Sequence, residues 1–298
     1  MDSTYDEPQV GLSKRASGTL SKQQRVLTVG ALEAALLSDF PADDAEAWDR
    51  TGLTVGDPAS VAVRVAVALD ATVSAVQAAA AAGANVLVTH HPAYLDPPSR
   101  FRPASSAATA GSGSVVWAAI KAGVSIMSFH TALDASPRAA NMLPSALSLD
   151  WSGRVVMPGA NARGGYGQLC TVSAHDAPLT LGALAARCTS VFAQVPRVWG
   201  DFDREISRVV TFTGSGSDVV EACLREGAEC LVVGEIKYHA ALDASEAGLS
   251  IIDIGHDTSE LPYTSVLADA CVRAGVPEDA IEIIDQRGRW SHPESTRL

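Results

Sequence analysis

Apolar runs of strand length alternate along the 298-residue chain with Ala-rich or amphipathic stretches of helical length. The runs VAVRVAVAL, NVLVTH, VSIMSFH, RVVTFTG, CLVVGE and LSIIDIGH are rich in β-branched and other apolar residues. Runs this continuous predict strands buried on both faces, and their alternation with helices predicts an α/β fold with a largely parallel sheet. The stretch PPSRFRPASSAATAGSGS, residues 97 to 114, holds Pro, Ser and Gly without periodicity and predicts a loop. Both ends are polar: residues 1 to 24 and QRGRWSHPESTRL, 286 to 298, predict flexible tails outside the core.

The pattern repeats. Shifted by 144 positions, RVAVALDATVSAVQAAAAAGANVLV (64 to 88) aligns without a gap on RVVTFTGSGSDVVEACLREGAECLV (208 to 232), with 8 of 25 positions identical. Each copy is followed by a second helix and another strand, closing on AGVSIMSFHTALD (122 to 134) and AGLSIIDIGHDTSE (247 to 260). The expected architecture is two similar α/β lobes from an internal duplication, residues 25 to 145 and 146 to 285, each a strand-helix-strand-helix-strand unit.

Charge and cysteine content narrow the classes of partner. A formal net charge of -12 and a pI near 4.9 argue against nucleic acid, which calls for clustered Lys and Arg. The N-terminal stretch lacks the apolar core of a signal peptide, and no run is long and apolar enough to span a bilayer, so no membrane partner and a cytoplasmic setting are expected. The five cysteines include no C-x-x-C pair, and an odd count fits reduced thiols filling core positions.

Candidate chemistry gathers at strand ends. Both copies finish on His-x-x-x-acid, His130 before Asp134 and His256 before Glu260, just past the carboxyl end of a strand, where open α/β sheets bind ligands. The doublet His90-His91 occurs in one copy only, because Gly234 and Glu235 occupy the matching positions of the other. Adjacent strand residues point to opposite faces, so the two imidazoles are poorly placed for one ion; at a strand end they can splay toward two neighbouring ions. His90, His91, Asp134, His256 and Glu260 offer three imidazoles and two carboxylates, with His130 close by. That mix suits Zn, Fe or Mn, and five ligands would leave open positions on two ions, as a catalytic site does. Simpler roles compete: a histidine at a strand end commonly just hydrogen-bonds at the surface, and Asp134 and Glu260 would also be stabilised near helix N-termini. His175 and His292 fall in loop-like settings, and His239 is expected to begin a helix, from which it would at most support the site. The GSGS runs at 111 to 114 and 214 to 217 read as loops and do not fit a P-loop.

The segments WDRTGLTVGDP (48 to 58), VLVTHHP (86 to 92), HTALDA (130 to 135), GEIKYHAALDA (234 to 244) and IDIGHDTSE (252 to 260) resemble, in order, the motifs of the NIF-three-like dinuclear metal-centre family, the GTP cyclohydrolase 1 type 2 homologues. The resemblance covers about residues 25 to 285. It implies two α/β lobes with a metal pair in the cleft between them, held by His90, His91, Asp134, His256 and Glu260, with His130 beside the metals as proton donor or acceptor. It also implies a homohexamer and metal-dependent hydrolysis of a small, anionic substrate, a nucleotide or other phosphorylated compound, through a metal-activated water. A non-enzymatic metal-binding or regulatory scaffold is the competing reading. Three positions depart from the family pattern: Arg50 where Asn is usual, Gln168 where Tyr-Gly-Arg is usual, and Glu235 for Asp. The stretch from Pro144 to Asp201 is too short for the extra domain that some relatives insert.

Overall fold

The computed structural model describes residues 26–104, 111–161 and 164–290. The expected N-terminal tail lies outside these residues, as does His292. The first lobe opens with helix α1 (Val29–Asp39), then β1 (Gly52–Val55), β2 (Val65–Asp70), α2 (Val73–Ala81), β3 (Val86–His91), α3 (Ser112–Ala122) and β4 (Ser125–Ser128). Three short helices follow, α4 (Thr131–Asp134), α5 (Pro137–Ala140) and α6 (Met142–Ala146). Threonines start two of the longer helices: Thr28 and Thr72 each accept a hydrogen bond from the backbone three residues on, satisfying an N–H that the helix leaves free.

The second lobe contains β5 (Leu149–Pro158), β6 (Gly165–Val172), β7 (Leu179–Thr180), α7 (Leu181–Phe192), β8 (Arg197–Trp199), β9 (Glu205–Ile206), β10 (Arg208–Ser215), α8 (Val220–Arg225), β11 (Cys230–Glu235), α9 (Tyr238–Glu246), β12 (Ser250–Asp253) and α10 (His256–Glu260). The chain closes with α11 (Tyr263–Arg273) and β13 (Ile281–Ile283).

Two main sheets result, ordered β1-β4-β3-β2-β13 and β5-β6-β10-β11-β12-β8, with β7 and β9 forming a small ribbon. At the centre of each, three parallel strands are joined by helices, β2-α2-β3-α3-β4 and β10-α8-β11-α9-β12. The shift of 144 extends to strand register: Val65 lies opposite Val86 as Val209 lies opposite Cys230. Alternate residues of each central strand enter different cores, which is why these runs are apolar throughout. Val65, Val67, Val86 and Val88 pack with Leu32 and Leu36 of α1, whereas Ala66, Ala68 and Leu87 pack with Ala75 and Val76 of α2. In the second sheet Val209, Cys230 and Val232 meet Leu184 and Cys188 of α7, and Val210, Leu231 and Val233 meet Ala222 of α8 and Ala241 of α9. All five cysteines are buried and free, as their apolar settings anticipate.

The structure corrects four expectations. The second sheet is mixed rather than largely parallel, because β5, β6 and β8 pair antiparallel with their neighbours, whereas in the first only β1 does so. Residues 263–283 leave the second lobe for the first: Leu267, Ala270 and Cys271 of α11 bury against β2 and β3, and β13 pairs with the open edge of β2. An unpaired strand edge beside an uncovered apolar face is what such a return stabilises. The polar closing segment is partly anchored, since buried Gln286 accepts from Asp70 N at 2.8 Å and donates to Asp70 O at 3.1 Å. The loop expected over 97 to 114 gives way to α3 at Ser112, with residues 105–110 outside the described set. Among the described residues no helix is long and apolar enough to cross a membrane.

Candidate metal centre and cleft

The carboxyl ends of the central strands bring His90, His91, His130, Asp134, His256 and Glu260 together. His90 and His91 end β3; His90 is fully buried and the His91 side chain half so. His130 follows β4, and its carbonyl accepts from Leu133 N and Asp134 N, so the single turn of α4 carries Asp134 back over the strand ends. His256 opens α10 and Glu260 lies one turn later on the same face, their Nε2 and Oε2 atoms 3.1 Å apart. Gly214, at φ +64, lies against Glu260, and a Cβ there would collide with Glu260 Oε1. The second GSGS run is therefore a wall of this site and not only a loop.

Three histidines of the cluster are hydrogen-bonded through Nδ1, and the fourth, His256, only approaches a carboxylate there. The partner is Phe129 O at 3.1 Å for His90, Asp70 at 2.8 Å for His91, Asp49 at 3.1 Å for His130 and Glu235 at 3.5 Å for His256. In His90, His91 and His130 the oxygen acceptor at Nδ1 sets the tautomer and leaves Nε2 to face the cluster, the usual orientation of metal-binding imidazoles. Three overlapping groups have ligand atoms within 4.8 Å of one another: His90, His91 and His130; His91, His256 and Glu260; His90, Asp134 and Glu260. Glu260 joins two of them, its Oε1 3.7 Å from His90 Nε2 and its Oε2 3.0 Å from His91 Nε2. These approaches lack hydrogen-bond geometry, and His90 Nε2, Asp134 Oδ1 and Glu260 Oε2 are buried without a hydrogen-bond partner.

The charges follow from this packing. Burial disfavours charge on His91, but the hydrogen bond to Asp70 and the adjacent Glu260 carboxylate outweigh it and push the imidazole up to about 10. Burial raises the Asp134 carboxyl. Burial acts the same way on Glu260, yet the surrounding His256 and His90 outweigh it and hold that carboxyl well below the usual range. With no cation present, one carboxylate is thus neutralised by histidines and the other is driven toward its protonated form.

Asp49 and Asp70 are site residues that the sequence pattern did not single out. Asp49 binds His130 and also accepts from Thr131 N at 2.9 Å and Thr131 Oγ1 at 2.6 Å. Burial pushes its carboxyl up, but these bonds outweigh the effect and hold it below the usual carboxylate range. The WDR segment quoted above contained Asp49, and VAVALD ended on Asp70, whose register partner is His91. His175 is exposed, and His239, exposed on α9, contacts Tyr238 and joins none of the three groups. Glu235, at the position matching His91, supports His256. Arg50 Nε donates to Leu95 O, and Gln168 is buried, accepting from the Thr211 hydroxyl.

Above the cluster opens a cleft of about 540 Å³, bounded by Trp48, His130, Asp134, Tyr166, Phe212 and Glu260 among others. It draws residues from both lobes.

A family profile described as Duf34/NIF3 (NGG1p interacting factor 3) matches residues 27–285. A GTP cyclohydrolase 1 type 2 homolog of Streptomyces coelicolor is 32% identical over 236 residues, covering 77% of this chain and 80% of that relative. One from Clostridium acetobutylicum is 28% identical, covering 78% and 85%. The fold matches a hypothetical protein of Staphylococcus aureus with a TM-score of 0.76 at 22% identity, over 90% of this chain and 99% of that one. A Bacillus cereus protein related to NIF3 matches with a TM-score of 0.76 at 18% identity, over 89% and 98%.

Proposed function

We propose that this chain, which belongs to the Duf34/NIF3 family, is a dinuclear metal-dependent hydrolase of the GTP cyclohydrolase 1 type 2 homologue kind, acting on a nucleotide or other phosphorylated compound. The observation that carries the reading is the convergence of three unpartnered buried atoms, His90 Nε2, Asp134 Oδ1 and Glu260 Oε2. Buried polar groups are almost always paired, and this imidazole and carboxylate set suits Zn, Fe or Mn. In this reading His90, Asp134 and Glu260 would hold one ion and His91, His256 and Glu260 the other, with Glu260 common to both groups. When bound, such a pair supplies Lewis acidity and activates water at neutral pH.

The chain's own residues supply orientation and proton transfer. Asp49 accepts the Nδ1 proton of His130, so the free Nε2 can take a proton from an attacking water and return it to a leaving group. Thr131, clamped by the same carboxylate, fixes the turn that carries Asp134. The shared register of the two central β-α-β-α-β units supports their origin by duplication. The family resemblance also leads us to expect a homohexamer, which sedimentation of the purified protein tests.

The test of activity is incubation of metal-loaded protein with GTP and a panel of phosphorylated compounds, with products identified by mass spectrometry. Turnover that falls by about 10²-fold or more in His130→Ala, with metal content retained, supports the hydrolase. Bound metal without turnover of any compound supports the scaffold reading instead.

A further inference from the structure

His130 owes its setting to a segment with little regular structure of its own. Residues 45–51, between the short 3-10 turn Ala42–Asp44 and β1, belong to no helix or strand. Yet this segment supplies two neighbours of the His130 ring: the Asp49 carboxylate accepts from Nδ1 at 3.1 Å, and Trp48 meets the ring edge-on with centroids 5.7 Å apart. Glu46 is where the segment is pinned. Its backbone N–H donates to Thr131 Oγ1 at 2.9 Å and its carbonyl accepts from Asp49 N at 2.9 Å, so the place of Glu46 sets that of Asp49. Thr131 Oγ1 in turn donates to Asp49 Oδ2 at 2.6 Å. The Glu46 side chain reaches the other lobe, where its Oε1 accepts from the Tyr166 hydroxyl of β6 at 3.1 Å. Asn161, just after β5, adds a second tie from that lobe by donating to Asp43 O. Burial and the Glu46 carboxylate push the Tyr166 phenol above its ordinary value, so it remains a donor at neutral pH.

We propose that Tyr166 is a positioning residue for His130: by holding Glu46 from across the cleft it fixes the Asp49 turn, so the second lobe sets the orientation of a proton-transfer group carried by the first. The inference rests on the hydrolase reading for what His130 does, and on the hydrogen bonds alone for how the ring is held. A group that transfers a proton must lie within hydrogen-bond reach of the reacting atom, so a small displacement of the ring costs rate and leaves substrate binding nearly unchanged. Tyr166 and Glu46 act in series through one contact, so their removal is not additive.

The test uses the whole chain loaded with zinc. Imidazole nitrogen NMR spectra read the His130 tautomer, with its signals assigned by their loss in His130→Gln. Wild type is expected to carry the proton on Nδ1, where Asp49 accepts it. Tyr166→Phe and Glu46→Ala should each move the His130 signals toward a mixture of tautomers at unchanged zinc content. Glu46→Gln, which keeps an oxygen for the phenol to bond, should move them less. Turnover of GTP gives the second readout: kcat should fall about tenfold in Tyr166→Phe while KM changes less than about twofold. Tyr166→Phe combined with Glu46→Ala should fall no further than either change alone. His130 signals identical in wild type and Tyr166→Phe, or losses that multiply in the double variant, would overturn the proposal. Failure of the hydrolase reading looks different: zinc-loaded wild type turns over neither GTP nor any other phosphorylated compound, while the His130 signals still move in Tyr166→Phe.

Discussion

Asp49 is the residue on which positioning of His130 depends, and Asp49→Asn perturbs it with little change of shape. The carboxylate is inaccessible to solvent and accepts four hydrogen bonds, from Arg50 N at 2.7 Å, His130 Nδ1 at 3.1 Å, Thr131 N at 2.9 Å and Thr131 Oγ1 at 2.6 Å. Asparagine offers one acceptor oxygen and a donor NH₂, so two of the four contacts set donor against donor. Hydrogen bonds to a charged group are worth about 1.5–3 kcal/mol each, and the Thr131 hydroxyl can turn to accept, so the net loss is about 2–4 kcal/mol. Urea denaturation of metal-free protein at pH 7 measures it. Because the folded carboxyl is held below its unfolded value, its contribution is present above pH ~4 and is lost as pH falls toward the folded value, so the gap between wild type and variant narrows in acid. A loss below about 0.5 kcal/mol at pH 7, far under what two such bonds supply, or a gap that widens as pH falls, would refute the reasoning.

Three further outcomes follow from the packing. Glu229 Oε2 accepts from Ser207 N, Ser207 Oγ and Arg208 N; partial burial pushes this carboxyl up, but the Ser207 and Arg208 bonds outweigh it and lower it. Glu229→Gln should therefore cost about 1 kcal/mol near neutral pH and progressively less as the medium turns acid, read by thermal melts across a pH series. The thiols of Cys170, Cys188, Cys223 and Cys271 are pushed up to about 12 by burial, so Ellman's reagent at pH 8 should find no rapidly reacting thiol until the protein is unfolded. Leu267→Ala, which opens a cavity in the core of the first sheet, should lower unfolding stability by about 3 kcal/mol, and a loss under about 1 kcal/mol would contradict the assignment of α11 to that core.

The central strands and the cluster were legible for related reasons. Strands covered on both faces must be apolar along their whole length, so β2, β3, β4, β10, β11 and β12 announced themselves, and the polar residues that end them stood out. The edge strands were not legible. Six of the ten residues of β5 run Asp150-Trp151-Ser152-Gly153-Arg154-Val155 without a buried position, so no face imposes a pattern on them. Nor could α11 and β13 be assigned to the first lobe, since closing the β2 edge is a contact between residues more than 200 positions apart. Within the site, His91 and Glu260 carried recognisable spacing. Asp49 carried none, because its role exists only where the loop before β1 meets the turn after β4. Gly214 was hidden for another reason: its lack of a side chain matters only beside Glu260.

The central claim is that two ions share Glu260 between the groups of His90 and His91. Metal analysis after chelator treatment, zinc reloading and extensive dialysis tests it most directly, with wild type compared to His90→Ala, Glu260→Gln and His130→Ala. The account predicts about two equivalents of zinc per chain in wild type and His130→Ala, loss of at least one in His90→Ala, and loss of both in Glu260→Gln. Wild-type protein that retains no more zinc than Glu260→Gln would contradict it.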